Sequence, residues 1–405
     1  MSKRKHAVKL EHVERKVLRF PTHPVQLPES ERVVGLALSG GGSHGAFTAG
    51  IFHTVYSAYL DEGRLPKLRV VSGTSTGSLV GGLIAEMYGR YKTKDDPKKA
   101  LEKLEKLYTD VHQDEIALVP DSALGTIWNL ITKHGVADIS PLQKTIEHNL
   151  VPELIEAATR GPDPTEYVAT ITDMVIGKPR GFSSARREDM ALMGQVIFAS
   201  CAQPVVMTPA YVNPVEGLDI WATDGGVREV IPFREAMRPK TTHICAVALN
   251  EISIDEDKAM TRTGDTNPLD QIDRGLSVMN DEVARDDERM ARTVAYINRA
   301  RDRLRAHGVD EATIAKALPY GEMLPTRGEP ADPDHHDPND DSIYDESKLR
   351  EILFFRFKTQ DLPSSMIFEP SAMLPLWKQG VALASEHMAE IRSFLEAGGM
   401  LAPAS

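Results

Sequence analysis

The residues best suited to chemistry are gathered in Gly73-Thr74-Ser75-Thr76-Gly77. A serine hydroxyl is a weak nucleophile until a neighbouring base takes its proton. Gly-x-Ser-x-Gly lifts such a hydroxyl clear of the backbone when a strand leads in and a helix leads out. Val70 and Val71, a β-branched pair, supply the strand, and the small and apolar run after Gly77 suits a buried helix. Gly73 and Gly77 carry no Cβ, so strand and helix can approach closely and a positive φ is tolerated. The helix turns its N-terminus toward the serine, where negative charge is favoured. Taken alone, the pattern also fits a Gly/Ser-rich turn with no chemistry, so the other parts of a site must be sought.

An acyl-transfer site needs preset donors for its oxyanion. Ser39-Gly40-Gly41-Gly42-Ser43-His44-Gly45 follows the apolar run Val33–Leu38 and precedes a helical stretch. Gly40, Gly41 and Gly42 have no side chains to block an incoming oxygen, and their N–H groups can line a nest at the mouth of a helix. Gly40-x-Gly42-x-x-Gly45 also matches the dinucleotide-binding fingerprint. That reading wants an acidic residue at the end of the second strand, and here the second strand ends in the serine motif.

The base is less obvious. His44 lies in the glycine loop, but a helix N-terminus disfavours the protonated imidazole a triad would need. His112, His134 and His148 fall in a polar stretch where solvated histidines are ordinary. Asp224 follows a strand-like segment and precedes Gly225 and Gly226, which leave room around its carboxylate. An aspartate before two glycines is also a common turn residue.

The order of these motifs resembles the patatin-like phospholipase family, at Ser39–Gly45, Gly73–Gly77, Ala199–Pro204 and Asp224–Gly226. The resemblance spans about residues 32–250. It implies a three-layer α/β/α core with a mostly parallel central sheet, and a Ser–Asp dyad without a catalytic histidine. Ser75 would be the nucleophile, Asp224 the general base and the Gly40–Gly42 backbone the oxyanion hole. The family usually has Arg or Lys where this chain has His44, a candidate headgroup contact whose charge depends on pH.

The elements that must position these residues read in order as a strand at 33–38, a helix over Ala46–Tyr59, the elbow, and a polar helical insertion at about 88–160. Within that insertion lie apolar patches at Ile116–Val119 and Thr126–Ile131. A strand at Tyr167–Thr172 leads into a turn over Gly177–Gly181, with Phe182 resuming a hairpin. A helix over Glu188–Ser200 ends before Pro204. Ile244–Leu249 is expected to be the last strong strand of the core. Residues 1–31 read as a basic arm, 32–250 as the catalytic core and 251–405 as a helical extension. That extension contains a helix at 268–306, a Pro- and Asp-rich loop at 321–346, a strand at Ile352–Phe357 and a closing amphipathic helix.

Composition bounds the rest. Of 405 residues, 41% are hydrophobic, enough for a sizeable core. A net charge of −12 and 6% aromatic content argue against nucleic-acid binding. Two cysteines rule out a disulfide framework and fit a reducing, cytoplasmic setting. No apolar run is long enough to span a bilayer, so the expected membrane contact is peripheral. The Asp332–Asp341 run lacks metal-loop spacing and reads as a solvated acidic loop; the chemistry calls for no metal and no cofactor. The reading is hydrolysis of a lipid or phospholipid acyl ester through an acyl-enzyme, with homo-oligomerisation left open. Its rivals are a Ser–His–Asp esterase and a non-catalytic scaffold on the same fold.

Overall fold

The first strand, β1 (Val34–Leu38), is buried along its whole length, as its unbroken apolar sequence requires. It belongs to a computed structural model in which the described residues are 27–118, 136–204, 206–208, 210–215, 218–249, 268–318, 347–356 and 364–402. Most of the basic arm, the Thr126–Ile131 patch, His134 and the acidic loop lie outside these residues. Parallel strands β2 (Val70–Thr74) and β7 (His243–Ala248) flank β1, and β3 (Glu166–Asp173) continues parallel to β2. The hairpin partner β4 (Lys178–Ser183), with β5 (Ala210–Val215) and β6 (Leu218–Asp224), forms the antiparallel side. Together with β8 (Glu351–Arg356) they make one eight-stranded, mostly parallel sheet.

Alternation along the strands divides the core in two. Leu36, Leu38, Val71, Tyr167, Cys245 and Val247 face one apolar cluster, while Ala37, Val70, Val168, Ile244 and Ala246 face another. The first cluster is closed by α1 (Gly45–Asp61), α2 (Thr76–Thr93) and α3 (Lys98–Thr109), and by α4 (Ser140–Asn149) and α5 (Pro152–Ala158). Beyond the short α6 (Arg187–Met190), α7 (Met193–Ser200) packs on this same side. The second cluster is closed by α8 (Phe233–Met237) and the long α9 (Pro268–Ala306), which is followed by α10 (Glu311–Ala317). Helix, sheet, helix is the three-layer architecture expected from the sequence.

Three local readings change. The helix expected over Glu188–Ser200 is two helices, broken at Ala191 and Leu192. The hairpin turn lies earlier than Gly177–Gly181: β4 already starts at Lys178, with Gly177 at φ 66° closing the turn. The sheet also does not stop at β7. β8 pairs with it in parallel, His243 opposite Glu351 through Ala248 opposite Arg356. Behind β8 in sequence, α11 (Pro370–Glu386) crosses α1 at very close range, and α12 (Met388–Leu395) follows. A Cβ on Gly50 would overlap the Trp377 carbonyl, and one on Gly380 would overlap that of Phe47. Paired glycines let the two backbones touch. The C-terminal segment therefore completes the core instead of hanging from it.

Candidate active site

Ser75 stands between β2 and α2, with φ 53° and ψ −126°. This is a sparsely populated conformation for a residue with a side chain, and such strain persists only where its surroundings enforce it. Here they do. A Cβ on Gly73 would overlap Gly77, and one on Gly77 would overlap the Leu38 carbonyl, so no larger residue fits either place. The Ser75 N–H donates to Ser200 Oγ at 2.8 Å, and Ser78 Oγ donates to the Ser75 carbonyl at 2.6 Å. Ser75 is 7% exposed.

Asp224 reaches Ser75 by an arrangement of strands that no local motif announces. One edge of β3 is filled by β4, which pairs from Val168 to Asp173. The other edge must hold both remaining partners. There β2 pairs up to Thr74 opposite Thr170, and β6 takes over from Asp224 opposite Ile171. A parallel strand and an antiparallel strand thus meet tip to tip along one edge. The residue after one tip is Ser75, and the other tip is Asp224.

The Asp224 carboxyl Oδ1 accepts the Gly226 N–H at 2.7 Å, and the neighbouring Ser75 side chain favours its ionised form. Its own N–H donates to the Ala202 carbonyl at 2.9 Å, which ties it to the end of α7. Burial raises its pKa from the ordinary carboxylate value to about 6, and the Ser75 side chain and the Gly226 amide partly offset that rise. A carboxylate in this range is better matched to proton transfer near neutral pH than one near 4. Gly225 is confined by the Thr170 carbonyl, 2.7 Å from where a Cβ would stand. Thr170 and Thr74, each one residue before Ile171 and Ser75, share a hydroxyl–hydroxyl hydrogen bond of 2.6 Å.

The glycine loop approaches the serine from β1. A Cβ on Gly40 would lie 3.1 Å from Ser75 Cβ, so the missing side chain is what admits the serine. The Gly40 N–H, however, donates to the Val230 carbonyl at 3.1 Å. Of the three glycines expected to form an oxyanion hole, Gly40 thus has its amide engaged by Val230 and gives space beside Ser75. Gly41 and Gly42 stand at φ 158° and 54°, and their N–H groups have no acceptor among the described residues. Gly45 begins α1, where any Cβ would strike Thr76. His44 is half-buried one residue earlier, and its N–H donates to Gly41. Sequence reasoning gave no role to Ser200, although it falls within the Ala199–Pro204 motif; only its hydroxyl position reveals that it holds the elbow.

Other histidines are engaged elsewhere. His112 Nδ1 lies 2.9 Å from Glu369 Oε2, and His243 Nδ1 lies 2.8 Å from Thr242 Oγ1. His148 belongs to α4. Both cysteines are free and buried. No group of three or more potential metal ligands occurs among the described residues.

A mostly parallel sheet between two helical layers, with a serine elbow and an acidic strand tip converging on its glycine loop, defines a patatin-type α/β fold. Residues 36–237, about half of the chain, match the family described as patatin-like phospholipase. Through that segment the chain belongs to the patatin-like phospholipase family. An uncharacterized protein of Acanthamoeba polyphaga mimivirus is 23% identical over 189 residues, which are 46% of this chain and 57% of that protein. The chain therefore spans less than two thirds of this relative. Among solved structures, VipD from Legionella pneumophila is 14% identical with a TM-score of 0.33, the match covering 88% of this chain and 67% of that one. The type III effector protein ExoU is 15% identical with a TM-score of 0.21, covering 72% and 62%.

Proposed function

We propose that this chain hydrolyses the carboxylic esters of lipids, with Ser75 as nucleophile and Asp224 as general base. The observation that carries the reading is the meeting, along one edge of β3, of a strained serine elbow after β2 with Asp224 at the tip of β6. Asp224 accepts the hydroxyl proton as Ser75 Oγ attacks the carbonyl carbon, and the oxyanion forms against the Gly41 and Gly42 amides and the N-terminus of α2. The tetrahedral intermediate then expels the alcohol, which takes the proton back. Water attacks the acyl-enzyme as Asp224 takes its proton; the second tetrahedral intermediate expels Ser75 Oγ, which recovers that proton from Asp224, and the fatty acid leaves. No step requires a cofactor.

The substrate class follows from the family. A lipid must be met at an interface, and the β3–β4 turn offers a surface for this: Val175 is 71% exposed and Ile176 54%. They lie four and five residues beyond Ile171, the partner of Asp224, at the carboxyl end of β3. Ligands of open α/β sheets approach from that end. No described helix is long and apolar enough to cross a membrane, so the contact we propose is peripheral.

The test is labelling with a fluorophosphonate, together with turnover of a phospholipid and a short-chain nitrophenyl ester. Ser75→Ala is expected to lose both labelling and turnover with the fold retained. Labelling that survives in this variant overturns the assignment of the nucleophile. A triad enzyme instead predicts an essential histidine, so loss of all turnover in His44→Gln with the fold intact would favour that rival.

A further inference from the structure

We propose that Asp287, on helix α9 of the C-terminal segment, is a positioning residue for the active site, and that α9 is thereby part of the catalytic unit. The inference rests on the hydrolase reading above. It concerns a residue well outside the family-matched segment 36–237.

The argument starts from the loop after Asp224. Residues 224–232 touch each part of the site in turn. The loop begins with the base itself. The Glu229 carbonyl then accepts the Thr74 hydroxyl at 3.0 Å, next to the nucleophile. The Val230 carbonyl accepts the Gly40 N–H at 3.1 Å. The Pro232 carbonyl accepts the Ser72 hydroxyl at 3.0 Å. One short loop therefore fixes the distances between base, nucleophile strand and glycine loop.

What fixes the loop is Asp287. Its Oδ2 accepts the N–H of Val230 at 2.8 Å and that of Ile231 at 3.0 Å. Two amides converging on one carboxylate oxygen make charge-assisted bonds, stronger than bonds between neutral groups. The peptide group joining Val230 to Ile231 is thus held on both sides, its N–H (Ile231) by Asp287 and its carbonyl (Val230) by the Gly40 N–H. Release of the first bond frees the second to drift, and with it the glycine loop beside Ser75. A displacement of about 1 Å at such a site costs on the order of 100-fold in rate. Val230 and Ile231 also belong to the apolar cluster that α9 closes, so the carboxylate lies where the helix already packs.

The test uses the full-length protein and the variants Asp287→Ala, Asp287→Asn and Asp287→Glu. In Asp287→Ala, kcat on a soluble nitrophenyl ester is expected to fall about 10- to 100-fold with KM within about twofold. Fluorophosphonate labelling should slow in parallel. Asp287→Asn, whose amide oxygen still accepts but without charge, should recover part of the rate. Hydrogen exchange supplies a readout independent of turnover. Peptides covering 38–45 and 224–232 should exchange faster in Asp287→Ala, while β7 stays protected. Unchanged exchange at 38–45 with parental kcat overturns the proposal. So does loosening that includes β7 in both Asp287→Ala and Asp287→Asn, because Asp287 would then serve stability alone. If the parent itself takes no label at Ser75, the hydrolase reading fails, and the exchange experiment still decides whether Asp287 orders the loop.

Discussion

Ser75 holds a conformation that glycine would adopt more readily than serine. Its strain implies an exchange between activity and stability. Ser75→Gly is expected to abolish turnover and to stabilise the fold by about 1 kcal/mol in chemical denaturation, the order of cost of such a backbone. Asp224 makes a second prediction. Burial holds its pKa at about 6, above its ordinary value, and a general base must be ionised to work. kcat/KM on a soluble ester should therefore rise as pH climbs through about 6, not through 4. The same shift means that the folded protein favours protonated Asp224. Its contribution is neutral below the ordinary value of 3.8, turns increasingly destabilising as pH rises from there to about 6, and is constant above. Asp224→Asn should thus be inactive yet gain stability relative to the parent at pH 8 and not at pH 4, measured by urea midpoints. Glu229 is likewise held above its ordinary value by burial, beside Arg234; Glu229→Gln is the control, and the limb at about 6 should survive it.

At the scale of elements, the elbow is a junction whose tightness is set by backbone. Gly77 leaves no space before the Leu38 carbonyl, and a carbonyl within a strand cannot swing aside like a side-chain tip. Gly77→Ala is accordingly expected to cost several kcal/mol, on the order of the most severe single substitutions, and to yield little folded protein on thermal melting. The elbow, the glycine loop and the strands β1, β2 and β7 were legible because each is a short apolar run joined to a turn with a distinct chemistry. The break at Ala191–Leu192 was not, since both residues suit a helix and only packing on the sheet interrupts it. The meeting of β2 and β6 along one edge of β3 was equally invisible. It depends on register between strands far apart in the chain, and register is a property of the pair.

For the whole molecule, the C-terminal segment decides what folds. β8 covers the edge of β7, and α11 seats its glycine against that of α1. A chain ended at residue 250 would expose that sheet edge and the apolar face of α1, and an uncovered edge promotes aggregation. It is expected to be insoluble or to melt without a cooperative transition by circular dichroism. The proposed interfacial surface gives a different outcome. Replacing Val175 and Ile176 together by Asp should reduce sedimentation with phospholipid vesicles and turnover of vesicle lipid, while kcat/KM on a soluble ester stays within about twofold, since burial of two aliphatic side chains carries roughly 3–6 kcal/mol at most. Equal vesicle binding by the double variant would remove this turn from the proposed interface.

The amino-acid sequence by itself determined the class of fold and placed the serine elbow and the glycine loop, because each is a local pattern whose residue types carry their own conformational limits; the aspartate proposed as base was pointed to by the ordered resemblance of the motifs and not by its own local pattern. Tertiary structure alone decided that Gly40 spaces and anchors, that β8 and α11 complete the core, and that Asp287 grips the loop after Asp224. Those facts arise from hydrogen bonds and strand pairings between segments tens to hundreds of residues apart, where no spacing along the chain records which groups will meet.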